Sequence, residues 1–312
     1  MTLPVLKAVS RTQGNNAALK EGRVEAEGFQ LEFEEVPVLV HAFRRMVREL
    51  EFDVCEMALT TYLCAHEHGV PFTAIPVFLV RAFHHGAIVH NIHSGISDPS
   101  ELEGTRIGVN RGYTVTTGVW ARSVLQDEYG VDLSKVTWVL SGDEHVEAYE
   151  PPENVQPIPP GKTMEELLSS GDLAAAIGLK TEDADVQPLI PNALDAGIDA
   201  FRKRGHYPIN HLVVVRNDVL EAHPGVAVSV FNAFRESRDL YLQDLKSGRI
   251  ENPNAADKLH ARILQLGADP LPYGIEANRQ VLENLIEHAR TQQILRKPVT
   301  IESVFAPGLM EG

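Results

Sequence analysis

Two segments of the chain, Phe52–Leu59 (FDVCEMAL) and Phe72–Val80 (FTAIPVFLV), are nearly continuous in apolar character. Apolar runs of this length are typical of strands buried on both faces, and such strands occur in parallel sheets that helices cover on both sides. The segment before them, 40–52 (VHAFRRMVRELEF), has its apolar residues at helical spacing. Strand and helix therefore alternate here, and the pattern predicts an α/β fold.

The alternation continues along the chain and indicates more than one sheet. Short apolar runs at 86–91, 105–110, 135–140, 173–178 and 211–215 predict strands, and the pattern is almost entirely helical from Val226 onward. The chain has 312 residues, enough for two cores. We predict an inserted lobe at 84–211, an outer lobe at 1–83 and 212–312 with a helical C-terminal tail, and a cleft between the lobes. The amphipathic tail is also compatible with a homo-oligomer.

The composition restricts the classes of partner. The chain has 28 Lys and Arg residues against 43 Asp and Glu, a formal net charge of −15. This charge disfavours nucleic acid and anionic membranes, but a few arginines in one cleft can still bind a small anion. The first residues lack the charged and apolar regions of a signal peptide, and no apolar run is long enough for a membrane helix. We expect a cytoplasmic protein whose two cysteines, Cys55 and Cys64, are reduced.

Several motifs that would indicate a cofactor or metal do not occur in the sequence. Gly161-Lys162-Thr163 resembles the end of a phosphate-binding loop, but Gln156 stands where the first glycine is required. The pair His66 and His68 is separated by two positions, which point in nearly opposite directions on a helix and cannot chelate one ion. We therefore predict no metal site, and a metal-dependent hydrolase is the least favoured function.

An unusual group of cations, Arg81 to Gly86 (RAFHHG), follows the apolar strand at a predicted lobe crossing. Ligands of α/β proteins collect at the carboxyl ends of strands and at domain interfaces. We therefore expect Arg81 and His85 to contact a ligand. If the backbone is extended, His84 should point the opposite way, toward solvent or the hinge. The alternative for His85 is a buried, hydrogen-bonded histidine of the core.

Several segments together resemble the 4,5-dihydroxyphthalate decarboxylase family. They are RRMVRELEFDVCEMALTTYL (44–63), FTAIPVFLVRAFHHG (72–86), GVWARSVLQDEYGVDLSKVTW (118–138), PIPPGKTMEELLSSGDLAAAI (157–177), GHYPINHLVVVRNDVLEAHP (205–224), LPYGIEANR (271–279) and SVFAP (303–307). The resemblance implies a two-lobed fold like that of type II periplasmic solute-binding proteins. It also implies cofactor-independent removal of one carboxylate from a hydroxylated phthalate. The loop 110–120 (NRGYTVTTGVW) departs from PEYQMTAPVW, which is common in the family.

The implied reaction requires a proton donor and an acceptor. Decarboxylation para to a hydroxyl proceeds best if the ring carbon that bears the carboxylate is first protonated. His85 and Glu56 are our candidates for the acid–base pair, and His211 is the third. Glu56 follows the start of a buried strand and could point into the cleft, although it could instead cap the next helix.

A dianionic substrate also requires cations and hydrogen-bond donors. The predicted substrate-binding residues are Arg81, Thr60, Thr61, Arg111, Tyr113, Thr116, Thr117 and Arg279. The run 114–117 precedes a helix whose N-terminus would bind a carboxylate, or it could be the end of a strand. Arg279 has the alternative of an ion pair on a helix surface. A binding protein for an aromatic or heterocyclic carboxylate, without catalysis, is the alternative function.

Overall fold

The computed structural model describes residues 3–205 and 207–309. These residues form two compact units. The first contains the described residues up to Arg81, Ile209–Leu282, and those from Val299 onward. The second contains the described residues of Ala82–Pro208, together with Glu283–Pro298.

Eleven strands and eleven helices occur in this part of the chain. The strands are β1 (Val5–Val9), β2 (Gln30–Glu34), β3 (Val54–Ala58), β4 (Phe72–Arg81), β5 (Ile88–Asn91), β6 (Arg106–Val109), β7 (Thr137–Leu140), β8 (Val155–Pro157), β9 (Ala175–Ile177), β10 (Val186–Pro188) and β11 (Ile209–Arg216). The helices are α1 (Gly14–Lys20), α2 (Leu39–Glu49), α3 (Leu59–Glu67), α4 (Thr116–Tyr129), α5 (Met164–Ser169), α6 (Ala193–Arg204), α7 (Asn217–Ala222), α8 (Val226–Lys246), α9 (Ala255–Gln265), α10 (Arg279–Thr291) and α11 (Ile301–Val304).

The first unit contains a five-stranded sheet in the order β2-β1-β3-β11-β4. The strands β1, β2 and β3 are parallel, whereas β11 runs antiparallel to β3 on one side and to β4 on the other. The fully parallel sheet that the apolar runs suggested is therefore wrong for this unit. The two apolar segments that predict the fold become β3 and β4, and β11 separates them.

The strand β3 is the centre of this sheet, since all five of its residues are buried. Successive side chains of a strand point to opposite faces, so complete burial shows that protein covers both faces of the sheet here. This confirms the interpretation of FDVCEMAL as a doubly covered strand. It also means that Glu56, at the middle of β3, is a carboxylate inside a core.

The second unit contains a six-stranded sheet in the order β10-β5-β9-β6-β7-β8. Four of these strands are parallel, and β5 runs antiparallel to β9 and β10. The sequence patterns predicted β5, β6, β7 and β9 within a few residues of their ends. In the described ranges no helix is both long and apolar enough to cross a membrane.

Two of the boundaries between the units lie within a few residues of the predicted lobe crossings, whereas the C-terminal part of the chain is divided differently. The chain passes between units after Arg81 and again after Pro208, so His211 belongs to the first unit. Residues 283–298 group with the second unit, although the sequence assigned them to the outer lobe. In the second unit Gln292 accepts a hydrogen bond from Arg122 Nε at 2.7 Å. An amphipathic sequence reveals that a helix has a buried face, but not which core covers it.

Candidate active site

Glu56 of β3 meets His211 of the neighbouring strand β11. In the antiparallel ladder Glu56 lies opposite Val213, and His211 lies opposite Ala58. Because residues two apart on a strand face the same side of the sheet, Glu56 and His211 are diagonal neighbours on one face. Glu56 Oε1 lies 2.6 Å from His211 Nδ1. The structure thus brings two of the three predicted catalytic residues into direct contact.

The Glu56 carboxylate is enclosed by protein, whereas the His211 ring reaches the surface. Their side chains are 0% and 19% exposed, respectively. The second oxygen of Glu56 accepts a hydrogen bond from the Arg11 N–H at 3.0 Å. A buried carboxylate is costly unless it is hydrogen-bonded, and these two bonds meet that requirement. They join Glu56 to β11 and to the loop after β1, rather than to the first turn of α3.

The His211 ring has a fixed orientation. An ionised carboxylate only accepts hydrogen bonds, so Nδ1 carries the hydrogen and Nε2 is the nitrogen left to exchange a proton. Phe43 packs edge-on against the ring, with centroids 5.2 Å apart and planes at 90°. A carboxylate that holds an imidazole in one tautomer is the arrangement of many acid–base sites. The pair therefore has the composition of an acid–base site.

Arg81 ends β4, and its side chain is buried. Its Nη2 donates to the Pro272 carbonyl at 3.2 Å and to Asn278 Oδ1, two acceptors without net charge. Asn278 Nδ2 donates in turn to the Pro272 and Gly274 carbonyls, at 2.9 and 2.7 Å. Asn278 therefore holds the Arg81 guanidinium in place. LPYGIEANR is one of the segments that carry the family resemblance, but the sequence does not reveal this role of Asn278, because 197 residues separate the two side chains.

Thr60 and Thr61 lie in the first turn of α3, which follows β3 without a loop. Both side chains are fully buried. Thr61 Oγ1 has no hydrogen-bond partner among the residues that the structure describes. A buried hydroxyl without a partner costs about 1–3 kcal/mol, so this oxygen is a group that a ligand could satisfy.

The loop between β6 and α4, in the second unit, binds the carboxylate of Glu144. The Tyr113 N–H donates to Glu144 Oε1. Thr114 donates to Oε2 through both its N–H, at 3.2 Å, and its Oγ1, at 2.6 Å. Thr116 and Thr117 follow at the first two positions of α4. The segment in which the sequence predicted carboxylate binding thus contains a carboxylate of the protein itself, which the sequence analysis did not single out.

Arg122 supports this loop from within the core of the second unit. Its guanidinium lies 3.8 Å from the centroid of the Tyr113 ring, and its Nη2 donates to the Tyr113 carbonyl at 2.7 Å. The side chain is fully buried, and burial lowers the pKa of the guanidinium below its ordinary value. Nη1 has no hydrogen-bond partner in the described ranges. The helical spacing of 118–130 predicted α4 but gave no sign that it buries a cation.

His85 lies in a short 3₁₀ turn after β4 and is 4% exposed. Its Nε2 is 3.0 Å from Glu128 Oε2, and the other oxygen of Glu128 is 3.2 Å from Arg204. Glu128 is twelve residues beyond Thr116 on α4, a distance of about 18 Å along the helix axis at 1.5 Å per residue. Within the second unit, His85 thus lies far from the loop that binds Glu144. Its predicted pairing with Glu56, in the first unit, stays a prediction.

His84 does not point to solvent as expected. It is 3% exposed, and its ring stacks on Trp120 with centroids 6.4 Å apart. The expectation assumed an extended backbone, but β4 ends at Arg81 and the chain turns before the 3₁₀ segment. The alternation of strand side chains therefore does not apply to the two histidines.

The remaining predicted arginines lie at the surface. Arg111 is exposed and has a left-handed backbone (φ 73°), and its N–H donates to Ser141 Oγ at 2.8 Å. Arg279 forms ion pairs with Glu276 at 2.7 Å and Glu302 at 3.0 Å. Arg279 thus has the helix-surface ion pairs that the sequence analysis gave as its alternative. No group of three His, Cys, Asp or Glu side chains in the described ranges is arranged to hold a metal ion.

Two curated proteins are similar in sequence. A 4,5-dihydroxyphthalate decarboxylase from Comamonas testosteroni is 29% identical over 286 residues, which cover 86% of this chain and 86% of that protein. A 4,5-dihydroxyphthalate decarboxylase from Pseudomonas putida is 35% identical over 172 residues, which cover 51% of this chain and 64% of that protein. The chain is similar in sequence to 4,5-dihydroxyphthalate decarboxylases. The resemblance predicted from the sequence is confirmed, although no model of a protein family matches the chain.

Solved structures confirm the predicted periplasmic-binding-protein-like α/β fold. The alkanesulfonate-binding protein SsuA from Xanthomonas axonopodis pv. citri has a TM-score of 0.55 at 13% identity, over 98% of this chain and 99% of its own. The desulfurization enzyme DSZB has a TM-score of 0.56 at 14% identity, over 98% and 97%. At these identities the comparison concerns the fold alone. One neighbour is a binding protein and the other an enzyme, so the fold does not decide between the two functions.

Proposed function

We propose that this relative of the 4,5-dihydroxyphthalate decarboxylases is a cofactor-independent decarboxylase. Its substrate would be a hydroxylated aromatic dicarboxylate that resembles 4,5-dihydroxyphthalate, and its products a hydroxybenzoate and carbon dioxide. The names of the two curated relatives support this class of enzyme. The observation in the structure that carries the proposal is the contact between buried Glu56 and partly exposed His211.

The pair provides the proton that the reaction consumes. Nε2 of protonated His211 donates a proton to the ring carbon that bears the carboxylate. The bond between that carbon and the carboxylate then breaks, its electron pair restores the aromatic ring, and carbon dioxide leaves. His211 regains a proton from solvent, so each turnover consumes one proton and releases one carbon dioxide. Glu56 acts as a positioning residue, which keeps Nε2 directed away from the carboxylate.

Arg81, Thr60 and Thr61 are the proposed substrate contacts from the same unit. Arg81 offers a planar guanidinium for a carboxylate, and Asn278 fixes its orientation. The Thr61 hydroxyl would gain a partner when a ligand oxygen binds. The contacts predicted for Arg111, Tyr113, Thr116, Thr117 and Arg279 stay predictions, as does a catalytic role for His85.

The experiment compares His211→Gln with His41→Gln, a matched change at an exposed position of α2. Metal-stripped protein is mixed with 4,5-dihydroxyphthalate, and the ultraviolet spectrum and released carbon dioxide are recorded together. General acid catalysis contributes about 10²- to 10⁴-fold, so His211→Gln should lower kcat by that factor, and His41→Gln should leave it unchanged. Phthalate, which lacks the hydroxyls, should bind both variants with similar affinity.

Equal kcat values for the two variants, with equal melting temperatures, would contradict the role of His211. The alternative is a binding protein for an aromatic or heterocyclic carboxylate without catalysis, a function that the shared fold also permits. Tight binding of the dihydroxyphthalate without release of carbon dioxide would support that alternative. The same panel with His85→Gln tests whether the proton comes from the second unit instead.

A further inference from the structure

The loop Gly112–Thr114 of the second unit binds a carboxylate with three donors. Two are backbone N–H groups, of Tyr113 and Thr114, and the third is the Thr114 hydroxyl. Hydrogen bonds to a carboxylate are shorter and about twice as strong as neutral ones. We call this group of donors the carboxylate seat. In the structure its occupant is the side chain of Glu144.

The seat is shaped for a group that approaches the backbone closely. A Cβ atom built on Gly112 would lie 2.5 Å from Glu144 Oε2 and 2.6 Å from its carboxyl carbon. The glycine thus leaves room for a carboxylate where any larger residue would exclude it.

Arg122 makes the seat attractive to an anion. It donates to the carbonyl of Tyr113, and in a trans peptide that carbonyl lies opposite the N–H of Thr114. The hydrogen bond on one side of the peptide therefore directs the N–H on the other side toward the carboxylate. The guanidinium is fully buried and has one nitrogen, Nη1, without a hydrogen-bond partner in the described ranges. A buried positive charge of this kind favours an anion nearby.

We infer that Glu144 is an exchangeable occupant of this seat, and that a carboxylate of a small aromatic acid competes with it. Glu144 lies in the segment 141–150, which contains no helix or strand, and its side chain is only partly buried. It can therefore leave without unfolding a regular element. Glu144 then sets the affinity of the second unit for carboxylates, because each ligand must displace it first.

The inference does not depend on turnover, so its test uses phthalate, which carries two carboxylates and no hydroxyl. The variants are Glu144→Gln and, as a matched control, Glu147→Gln, which removes the same charge from an exposed position of the same segment. Titration calorimetry should show phthalate binding about tenfold tighter to Glu144→Gln than to wild type, because the neutral amide is a weaker competitor. Glu147→Gln should bind as wild type does.

Hydrogen–deuterium exchange of the peptide that covers 111–117 gives a second measurement. In Glu144→Ala the N–H groups of Tyr113 and Thr114 should exchange faster than in wild type, and phthalate should restore their protection. If phthalate binds but leaves these groups unprotected, the ligand does not enter the seat and the inference is wrong. If Glu144→Gln binds phthalate no more tightly than wild type, Glu144 is a permanent structural ligand of the loop. If the binding and exchange results are as expected but wild type releases no carbon dioxide from 4,5-dihydroxyphthalate, the proposed function is wrong and this inference stands.

Discussion

Stability of the first unit should depend on pH through His260 of α9. His260 Nδ1 lies 2.9 Å from the Tyr241 hydroxyl, which donates to Asp257 Oδ1 at 2.7 Å. The hydroxyl has one hydrogen and gives it to Asp257, so neutral His260 donates from Nδ1 to the Tyr241 oxygen. Burial is the main cause that lowers the pKa of His260 from 6.5 to about 4, and the charge of Arg81 contributes. The folded protein therefore holds the ring neutral.

The sign and size of the effect follow from this lowered pKa. Between pH 6.5 and 4 the unfolded chain binds a proton that the folded protein does not, so the free energy of unfolding falls as the pH falls. The stability that the protein gains by keeping His260 neutral is fully present above pH 6.5, and most of it is lost by about pH 4. The lowering of the pKa by about 2.5 units, at about 1.4 kcal/mol per unit, corresponds to about 3–4 kcal/mol in full, of which about 3 kcal/mol is lost by pH 4. His260 is 7% exposed, so solvent screens this effect little.

Urea unfolding of wild type, His260→Gln and His41→Gln, at several pH values from 7.5 to 4 and constant ionic strength, measures the effect. Other groups titrate over the same range, and the His41→Gln control measures the effect of removing an exposed histidine instead. Wild type and His41→Gln should lose about 3 kcal/mol more than His260→Gln between pH 7 and 4. Parallel curves for all three proteins would refute the reasoning, because His260 would then bind its proton equally well when folded.

Three further substitutions follow from the contacts described above. Asn278→Ala should raise KM about tenfold and leave kcat nearly unchanged, since it releases the Arg81 guanidinium from its fixed position. Steady-state kinetics measures both constants, and an unchanged KM would contradict the role of Asn278. Thr61→Val should raise the melting temperature, because it removes a buried hydroxyl without a partner, and should also raise KM if that hydroxyl contacts substrate; lower stability would contradict the first expectation. Gly112→Ala should expel the Glu144 carboxylate from the carboxylate seat, and faster amide exchange at 112–114 would show it, whereas exchange as slow as in wild type would mean that the loop accommodates the added methyl.

Local patterns predicted what depends on short-range physics. The apolar runs identified β3 and β4 because a strand that is buried on both faces has apolar residues at consecutive positions. Glu56 lies within the same run, and its place after the start of the strand, where it could point into a cleft, made it a candidate. His211 was the weaker candidate, because the sequence does not show that β11 lies beside β3 in a register that makes the two side chains diagonal neighbours.

Other parts of the site depend on contacts that the sequence does not encode locally. Glu144 has acidic neighbours on both sides along the chain, Asp143 and Glu147, and only the fold selects it as the occupant of the carboxylate seat. Asn278 lies in a segment that resembles the family, yet its contact with Arg81 joins residues that are 197 positions apart in the sequence. For His85, a buried, hydrogen-bonded histidine was the alternative to a ligand contact, and the sequence does not show that the turn after β4 brings it to Glu128 of α4.

The position of β11 between β3 and β4 has a consequence for the order of folding. Neither strand can complete its ladder until residues 209–216 have been synthesised, after the whole of 82–208. A chain released before that point exposes two apolar strand edges, which favour aggregation. Closing such a long connection also costs entropy, which slows formation of the first sheet. His211 belongs to β11, so the nascent polypeptide cannot form the Glu56–His211 pair until β11 has been synthesised and has joined the sheet.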